Sequence, residues 1–139
     1  MYEYKIHEVL RVVDGDTVDV TVDLGFNVLK KLRIRMFGID CPENKNMKDY
    51  EKTCLKKVGD EALAFVERIL SFEKDYIYIS KGFNGKYGRS VGDIKFKDGR
   101  FLTDILITEQ LAIPYTQDLD SRMKMMMQLH EYHKHAYED

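Results

Sequence analysis

Four acidic side chains fall in two short segments and could together bind a hard metal ion. Asp14 and Asp16 are separated by one glycine, and Asp40 is followed by Cys-Pro and then Glu43. Calcium prefers several such oxygen ligands. The first segment does not fit an EF-hand, which needs Asp or Asn again at the fifth position and glycine at the sixth. Taken singly, Asp-Gly is also a common turn dipeptide, and the second segment could be solvated charge at a strand end.

Basic residues that could hold a phosphate group accompany these acids. Arg35 precedes Asp40, and the segment Lys86-Tyr87-Gly-Arg89 combines a glycine, which allows close approach, with an arginine that can bind phosphate bidentately. Phosphodiester hydrolysis requires oxygen ligands for a divalent ion, a carboxylate that orients or deprotonates water, and guanidinium groups that hold the phosphate oxygens. Taken alone, the segment from Lys86 to Arg89 could be an ordinary basic hairpin turn.

The composition is that of a globular protein and does not by itself indicate binding to a polyanion. The chain has 139 residues, of which 44% are hydrophobic and 33% charged. It is long enough for one core and too apolar for intrinsic disorder, so we expect a single domain over residues 1–139 and a monomer. The formal net charge of -2 means that nucleic acid would need a local basic patch or a metal ion.

Cysteine spacing and the N-terminal segment suggest a cytoplasmic protein. Cys41 and Cys54 show neither a CxxC pair nor a metal-ligand spacing, so we expect free thiols. The N-terminus lacks a basic segment followed by an apolar stretch, and no apolar run is long enough to span a membrane. The mature form of a secreted protein would share these features.

Alternating apolar and polar residues predict five strands. Val18, Val20 and Val22 share one parity while polar residues occupy the other, as in a half-buried strand. The predicted strands cover residues 9–13, 17–23, 28–40, 75–80 and 90–96. The first three should form an antiparallel meander, because a turn separates the second strand from the third.

Three helices are predicted around these strands. A polar loop over residues 42–54 precedes a helix with apolar residues at three- and four-residue spacing from Val58 to Leu70, and two more helices should cover residues 102–112 and 118–136. Three strands, a helix, two strands and two helices favour an α+β fold with a partly open OB-type barrel over a parallel α/β sheet. Met123, Met126, Met127 and His130 are one possible inward face of the last helix. His130, His133 and His135 form no i, i+4 pair, so we predict a solvated helix end there and no metal cluster.

Three segments in order resemble the staphylococcal nuclease family. They are VVDGDTV, then RxxxxDxPE from Arg35 to Glu43, and KYGR from Lys86 to Arg89. The intervening helix and a later Leu-Thr-Asp…Leu-Ala segment also fit, so the resemblance covers residues 6–136. It implies a five-stranded OB-type β-barrel with three helices, and a calcium-dependent nuclease that acts on DNA and RNA.

The resemblance also implies a role for each matching residue. The metal would be held by the carboxylates of Asp16 and Asp40 and by the backbone carbonyl of Cys41, with Asp14 as a supporting acid. Among the catalytic residues, Glu43 would be the general base that acts on water. Arg35 and Arg89 would bind the phosphate and stabilise the transition state.

The substrate groove is where the chain departs from the type member of that family. Lys86, Tyr87 and Tyr115 would line it, but Tyr115 stands alone where the type member has two tyrosines, so we expect weaker base stacking. Cys41 replaces a threonine, which a ligand acting through its backbone carbonyl tolerates.

Two other classes of function remain open at this point. One is a non-catalytic nuclease-like module that binds oligonucleotides or peptides, and the other is a structural OB-type adaptor. Retention of the acids and of both arginines favours the enzyme, because a pure binding module has no evident need for them.

Overall fold

The computed structural model describes residues 2–42, 50–84 and 89–134, with the main chain alone at residues 50–54, 83–84 and 89. Its elements in chain order are β1 (Tyr2–Asp14), β2 (Thr17–Asp23), β3 (Leu29–Met36), β4 (Ile39–Asp40), α1 (Tyr50–Phe72), β5 (Ile77–Asn84), β6 (Arg89–Lys95), α2 (Leu102–Thr108), β7 (Ile113–Pro114) and α3 (Leu119–Lys134).

Five strands form a closed barrel in the order β1-β2-β3-β6-β5, and β5 pairs with β1 to close it. All pairs are antiparallel except β3 with β6, which run parallel. The predicted α+β fold, a five-stranded OB-type barrel with three helices, is confirmed, and the antiparallel arrangement of the first three strands is correct. The barrel is closed, whereas the sequence suggested a partly open one.

Alternation along the strands fills the barrel. Val18, Val20 and Val22 of β2 are completely buried, and Ile34 and Met36 of β3 lie beside them in the same core. Three register shifts along the β1–β2 pair mark bulges, which allow the long first strand to curve around the barrel. The strand faces that point inward are therefore set by the period-two pattern.

The helices bury the faces that their spacing predicts. Val58, Ala62, Val66 and Leu70 lie on the buried side of α1, at intervals of one helical turn. α1 begins at Tyr50, so the prediction of a loop as far as residue 54 was wrong by about one turn. α2 ends at Thr108, four residues before the predicted end. None of the helices in the described ranges is long and apolar enough to cross a membrane.

The C-terminal histidines differ from expectation. His130 and His133 are buried in α3, beside Leu129, so the prediction of a solvated helix end was wrong for both. His133 donates a hydrogen bond from Nε2 to the carbonyl oxygen of Gln110, at 2.6 Å. This contact ties α3 to the turn after α2. His135 lies outside the described residues.

Candidate active site

The β1–β2 turn carries the first acidic segment and is pressed against α1. Asp14 pairs with Thr17, so Gly15 and Asp16 form the turn. A Cβ atom on Gly15 would lie 2.7 Å from the Cβ of Ala62 in α1, closer than real contacts allow. Glycine is required here because the helix approaches the turn so closely. This geometry is therefore compatible with both interpretations of the Asp14–Asp16 segment, a simple β-turn and part of a metal site.

Asp16 is buried and connects this turn to two other segments. Its backbone oxygen accepts a hydrogen bond from the amide of Met36 at 2.8 Å. Its carboxylate accepts one from the amide of Cys41 at 2.9 Å and one from the hydroxyl of Thr17 at 3.1 Å. The carboxylate is thus fixed in position by backbone and side-chain donors.

A single guanidinium joins the two acidic segments. Arg35 Nη1 lies 3.4 Å from an oxygen of Asp16, and Nη2 lies 3.6 Å from an oxygen of Asp40. All three side chains are at most one-fifth exposed. Residues from the β1–β2 turn, the end of β3 and β4 therefore meet in one place, as the sequence motifs led us to expect.

Arg122 of α3 completes this cluster and was missed by the sequence analysis. Its Nε donates a hydrogen bond to the second carboxylate oxygen of Asp40 at 2.7 Å. The two residues are 82 positions apart, and Arg122 belongs to no recognisable motif. No signal in the sequence points to this pair, because it depends on how α3 packs.

The interior of the site disfavours a negatively charged thiol. Cys41 is a buried free cysteine, as predicted. Burial raises the pKa of its thiol well above the ordinary value, and the neighbouring Asp16 raises it further. The thiol is therefore neutral at physiological pH, which argues against Cys41 acting through its sulfur. The side chain of Cys54 lies outside the described residues.

The donor set suits a hard divalent cation in kind. Asp16 and Asp40 present carboxylate oxygens that are balanced by arginines, and oxygen ligands are those that calcium and magnesium prefer. Two carboxylates are too few for a complete calcium shell, so backbone carbonyls, water or substrate oxygens would have to supply the rest. Within the described parts of the chain, no group of three or more His, Cys, Asp or Glu residues is placed to hold a metal ion.

Tyr115 lies beside this cluster because of a short strand pair that the sequence analysis did not predict. Asp40 of β4 pairs with Ile113 of β7, and the amide of Tyr115 donates a hydrogen bond to the carbonyl oxygen of Gly38 at 2.9 Å. The Tyr115 side chain is 55% exposed. The main chain of Tyr115 is thus held beside the segment that leads into β4, and its side chain is exposed.

The structure describes the remaining predicted site residues only in part. Glu43, Lys86 and Tyr87 lie outside the described residues. For Arg89 the main chain is described, at the start of β6. The next residue, Ser90, pairs with Ile34, so the backbone of Arg89 runs beside the strand that carries Arg35.

Fold and site together define a closed OB-type barrel with a cluster of carboxylates and arginines at the ends of β1 and β3. A family model described as "Staphylococcal nuclease homologue" matches residues 33–139, well over half of the chain. The chain belongs to this family, and the resemblance seen in the sequence motifs is confirmed.

Several curated proteins are similar to parts of the chain. It is 33% identical to the thermonuclease of Staphylococcus hyicus over 85 residues, and this aligned region covers 61% of the chain and 45% of that protein. It is 34% identical over 90 residues to the staphylococcal-like nuclease CAN1 of Arabidopsis thaliana, covering 62% and 23%. A protein of Escherichia coli O157:H7 named "Uncharacterized endonuclease" is 28% identical over 109 residues, covering 78% and 60%. The matched region is thus less than two thirds of each relative.

Proposed function

We propose that this protein is a nuclease that hydrolyses phosphodiester bonds of DNA or RNA with the help of one divalent cation, of which calcium is the first candidate. The observation that carries the proposal is the contact of the single Arg35 guanidinium with both Asp16 and Asp40. Relatives named as nucleases support the same class of reaction.

Arg35 is well placed to bind a phosphate oxygen. Its contacts to Asp16 and Asp40, at 3.4 and 3.6 Å, are longer than a tight charge-assisted hydrogen bond of about 2.8 Å. Its hydrogen bond to the carbonyl oxygen of Met36, at 3.0 Å, orients the guanidinium. Arg35 therefore keeps hydrogen-bonding capacity for a ligand, whereas Arg122 is engaged with Asp40 at 2.7 Å.

In the proposed reaction, a water oxygen forms a bond to phosphorus while the bond from phosphorus to the leaving oxygen breaks. Glu43 accepts the proton of that water as general base. Arg35 and Arg89 hold the phosphate oxygens and stabilise the charge that develops on them. Asp16 and Asp40, with the backbone carbonyl of Cys41, would bind the cation, which polarises the phosphate and supplies positive charge when bound.

The substrate would extend from this centre toward three further residues. Lys86, Tyr87 and Tyr115 are the proposed contacts for a terminal phosphate and base, and Asp14 is proposed as a supporting acid. Asp14 belongs to the turn that positions Asp16. The exposed ring of Tyr115 offers a stacking surface.

The experiment that tests this function is hydrolysis of single-stranded DNA, duplex DNA and RNA by the purified protein, with calcium, with magnesium and with chelator. The informative pair of variants is Arg35→Gln and Arg33→Gln. Both remove one charge from β3, but Arg33 is bound bidentately to Asp19 outside the site, at 2.7 and 3.0 Å. We expect cation-dependent cleavage that falls at least about a hundredfold in Arg35→Gln and is nearly unchanged in Arg33→Gln.

Glu43→Gln provides a second variant, with an expected loss of about a hundredfold or more if Glu43 is the base. Equal loss in Arg33→Gln and Arg35→Gln would show a general charge effect and contradict the assigned roles. A folded protein that cleaves none of these substrates with any cation would instead support a nuclease-like module that only binds oligonucleotides or peptides.

A further inference from the structure

An open cavity of about 540 Å³ lies at one mouth of the barrel, separate from the cluster around Arg35. Its wall is formed by residues of β1, β2, β3, β5 and β6, together with Leu24 from the turn after β2. The residues described in its wall include none of the acids and arginines of that cluster. The nuclease proposal therefore leaves this feature unexplained.

Tyrosine rings form one side of the cavity. Tyr2 and Tyr4 of β1 stack with ring centroids 6.4 Å apart, and Tyr4 and Tyr78 of β5 stack at 6.3 Å. Tyr78 is buried and its hydroxyl donates a hydrogen bond to the carbonyl oxygen of Val91, so it is a fixed floor. Tyr2 at the outer end of this row is 71% exposed. The row offers an accessible aromatic face on a rigid base.

The polar residues of the cavity favour an anionic ligand. Two of its lining residues are the exposed lysines Lys30 and Lys81, and the wall that the structure describes contains no acidic residue. Ser80 and Ser90 contribute hydroxyl groups. In a chain with a net charge of -2, this part of the surface is locally basic. It matches nucleotides, which combine a flat base with a phosphate, better than an apolar peptide.

The turn between β2 and β3 adds a second, independent observation. Phe26 is fully exposed and adopts a positive φ of 55°, and Asn27 follows with φ of 61°. The left-handed region is unfavourable for a bulky aromatic residue, and here the ring gains no packing in return. Phe26 lies two residues after Leu24, which lines the cavity. Its ring is available for a ligand that continues out of the barrel mouth.

We propose that the barrel mouth is an accessory binding site for single-stranded nucleic acid, in which bases stack on Tyr2 and Phe26 and phosphates contact Lys30 and Lys81. The ligand class rests on the proposed function, but the site does not. Leu32 in the cavity wall precedes Arg35 by three residues, about 10 Å along β3. The side chains of Leu32 and Arg35 leave opposite faces of β3, so the barrel mouth is a site separate from the phosphate site.

The test is a titration of ¹⁵N-labelled protein with an eight-nucleotide oligothymidylate in chelator, followed by amide chemical shifts and by fluorescence anisotropy. We expect shifts at Tyr2, Tyr4, Lys30 and Ser90. The double variant Tyr2→Ser/Phe26→Ser should bind about tenfold more weakly, since each stacked base contributes a comparable factor or more. The double variant Lys30→Gln/Lys81→Gln should also weaken binding and flatten its salt dependence.

Matched controls are Tyr132→Ser, which removes an exposed aromatic ring from α3, and Lys97→Gln/Lys124→Gln, which removes two exposed lysines elsewhere. Both should bind like the wild type. Shifts confined to the region of Arg35 and Asp40 would overturn the accessory site and leave the nuclease proposal intact. Absence of shifts at the mouth would also overturn it. So would oligomers of the wild type that disappear in the Tyr2→Ser/Phe26→Ser variant, because the mouth would then bind a second copy of the chain. Loss of hydrolysis with retained shifts at the mouth would count against the nuclease alone.

Discussion

Asp16 and Asp93 are both buried in the barrel, but their carboxylates have different partners. Asp16 lies 3.4 Å from the guanidinium of Arg35, which also contacts Asp40. Asp93 of β6 instead accepts hydrogen bonds from uncharged donors, the hydroxyl and amide of Thr103 and the amide of Ile94. The two carboxylates are equally buried, and they differ in whether a charged group lies next to them.

This difference assigns a structural role to Asp93. Thr103 is in the first turn of α2, where amides lack helical partners, and no local side chain caps this helix. Asp93 supplies the missing acceptor from another element, so it anchors α2 to the barrel. Its partners are fixed donors with no reason to exchange. At Asp16 and Asp40, in contrast, a cation can take the place of the arginines beside the carboxylates, and a phosphate can take the place of the carboxylates beside the arginines.

The largest expected effect is on the rate of cleavage, when aspartate is replaced by asparagine at position 40 and, for comparison, at position 93. Asp40→Asn should lower nuclease activity by about a hundredfold or more, because it removes a proposed cation ligand and half of the charge around Arg35. Asp93→Asn should leave the turnover number nearly unchanged, since the amide can still accept and donate at Thr103. Steady-state cleavage of single-stranded DNA measures both. Equal losses would remove the distinction between the two aspartates.

The second effect concerns stability and follows from the buried acceptor that the structural aspartate provides. Asp93→Ala leaves the hydroxyl of Thr103 and two amides without their buried acceptor, which should cost about 2–3 kcal/mol in the free energy of unfolding. Asp93→Asn should cost less than about 1 kcal/mol because it keeps an acceptor. Urea denaturation of both variants measures this. Similar values for alanine and asparagine would show that the contacts of Asp93 contribute little.

A smaller effect is expected for the ion pair between Arg122 and Asp40. Arg122→Gln should destabilise the protein by about 1 kcal/mol, because the pair is only partly buried. In the Asp40→Asn background the same change should have little effect, so a double-mutant cycle should give a coupling of about 1 kcal/mol. Unfolding free energies of the four proteins provide the cycle. An equal cost in both backgrounds would mean that Arg122 acts through other contacts.

The barrel could be predicted from sequence because its signals are periodic. Val18, Val20 and Val22 repeat every two residues over a full strand, and the buried face of α1 repeats every three or four. The pair of β4 and β7 has two residues in each strand, which is too short for any period to show. It is nevertheless this pair that joins the segment of Asp40 to Ile113 and to the residues that follow it.

The site was predictable only as far as motifs reach. Asp16, Arg35 and Asp40 stand in recognisable segments and do come together, whereas Arg122 is 82 positions from its partner and has no motif. The buried His133 shows the same limit. Its polarity favoured solvent, but it lies on a helix whose packing against the barrel the sequence does not reveal.

The smallest expected effect is a pH dependence of stability that arises from the structural aspartate, Asp93. Burial raises the pKa of Asp93 above its ordinary value of 3.8, and no cation is among the groups that oppose this. Below the ordinary pKa the carboxyl is protonated in both states, so it costs nothing. As pH rises through the window between the ordinary and the raised pKa, the unfolded chain loses its proton first, and the folded state becomes relatively less stable. Urea denaturation from about pH 3.5 to about pH 7 should therefore show wild type losing stability relative to Asp93→Asn, by less than about 1 kcal/mol; a loss in the opposite direction would mean that hydrogen bonds to the ionised carboxylate outweigh its burial.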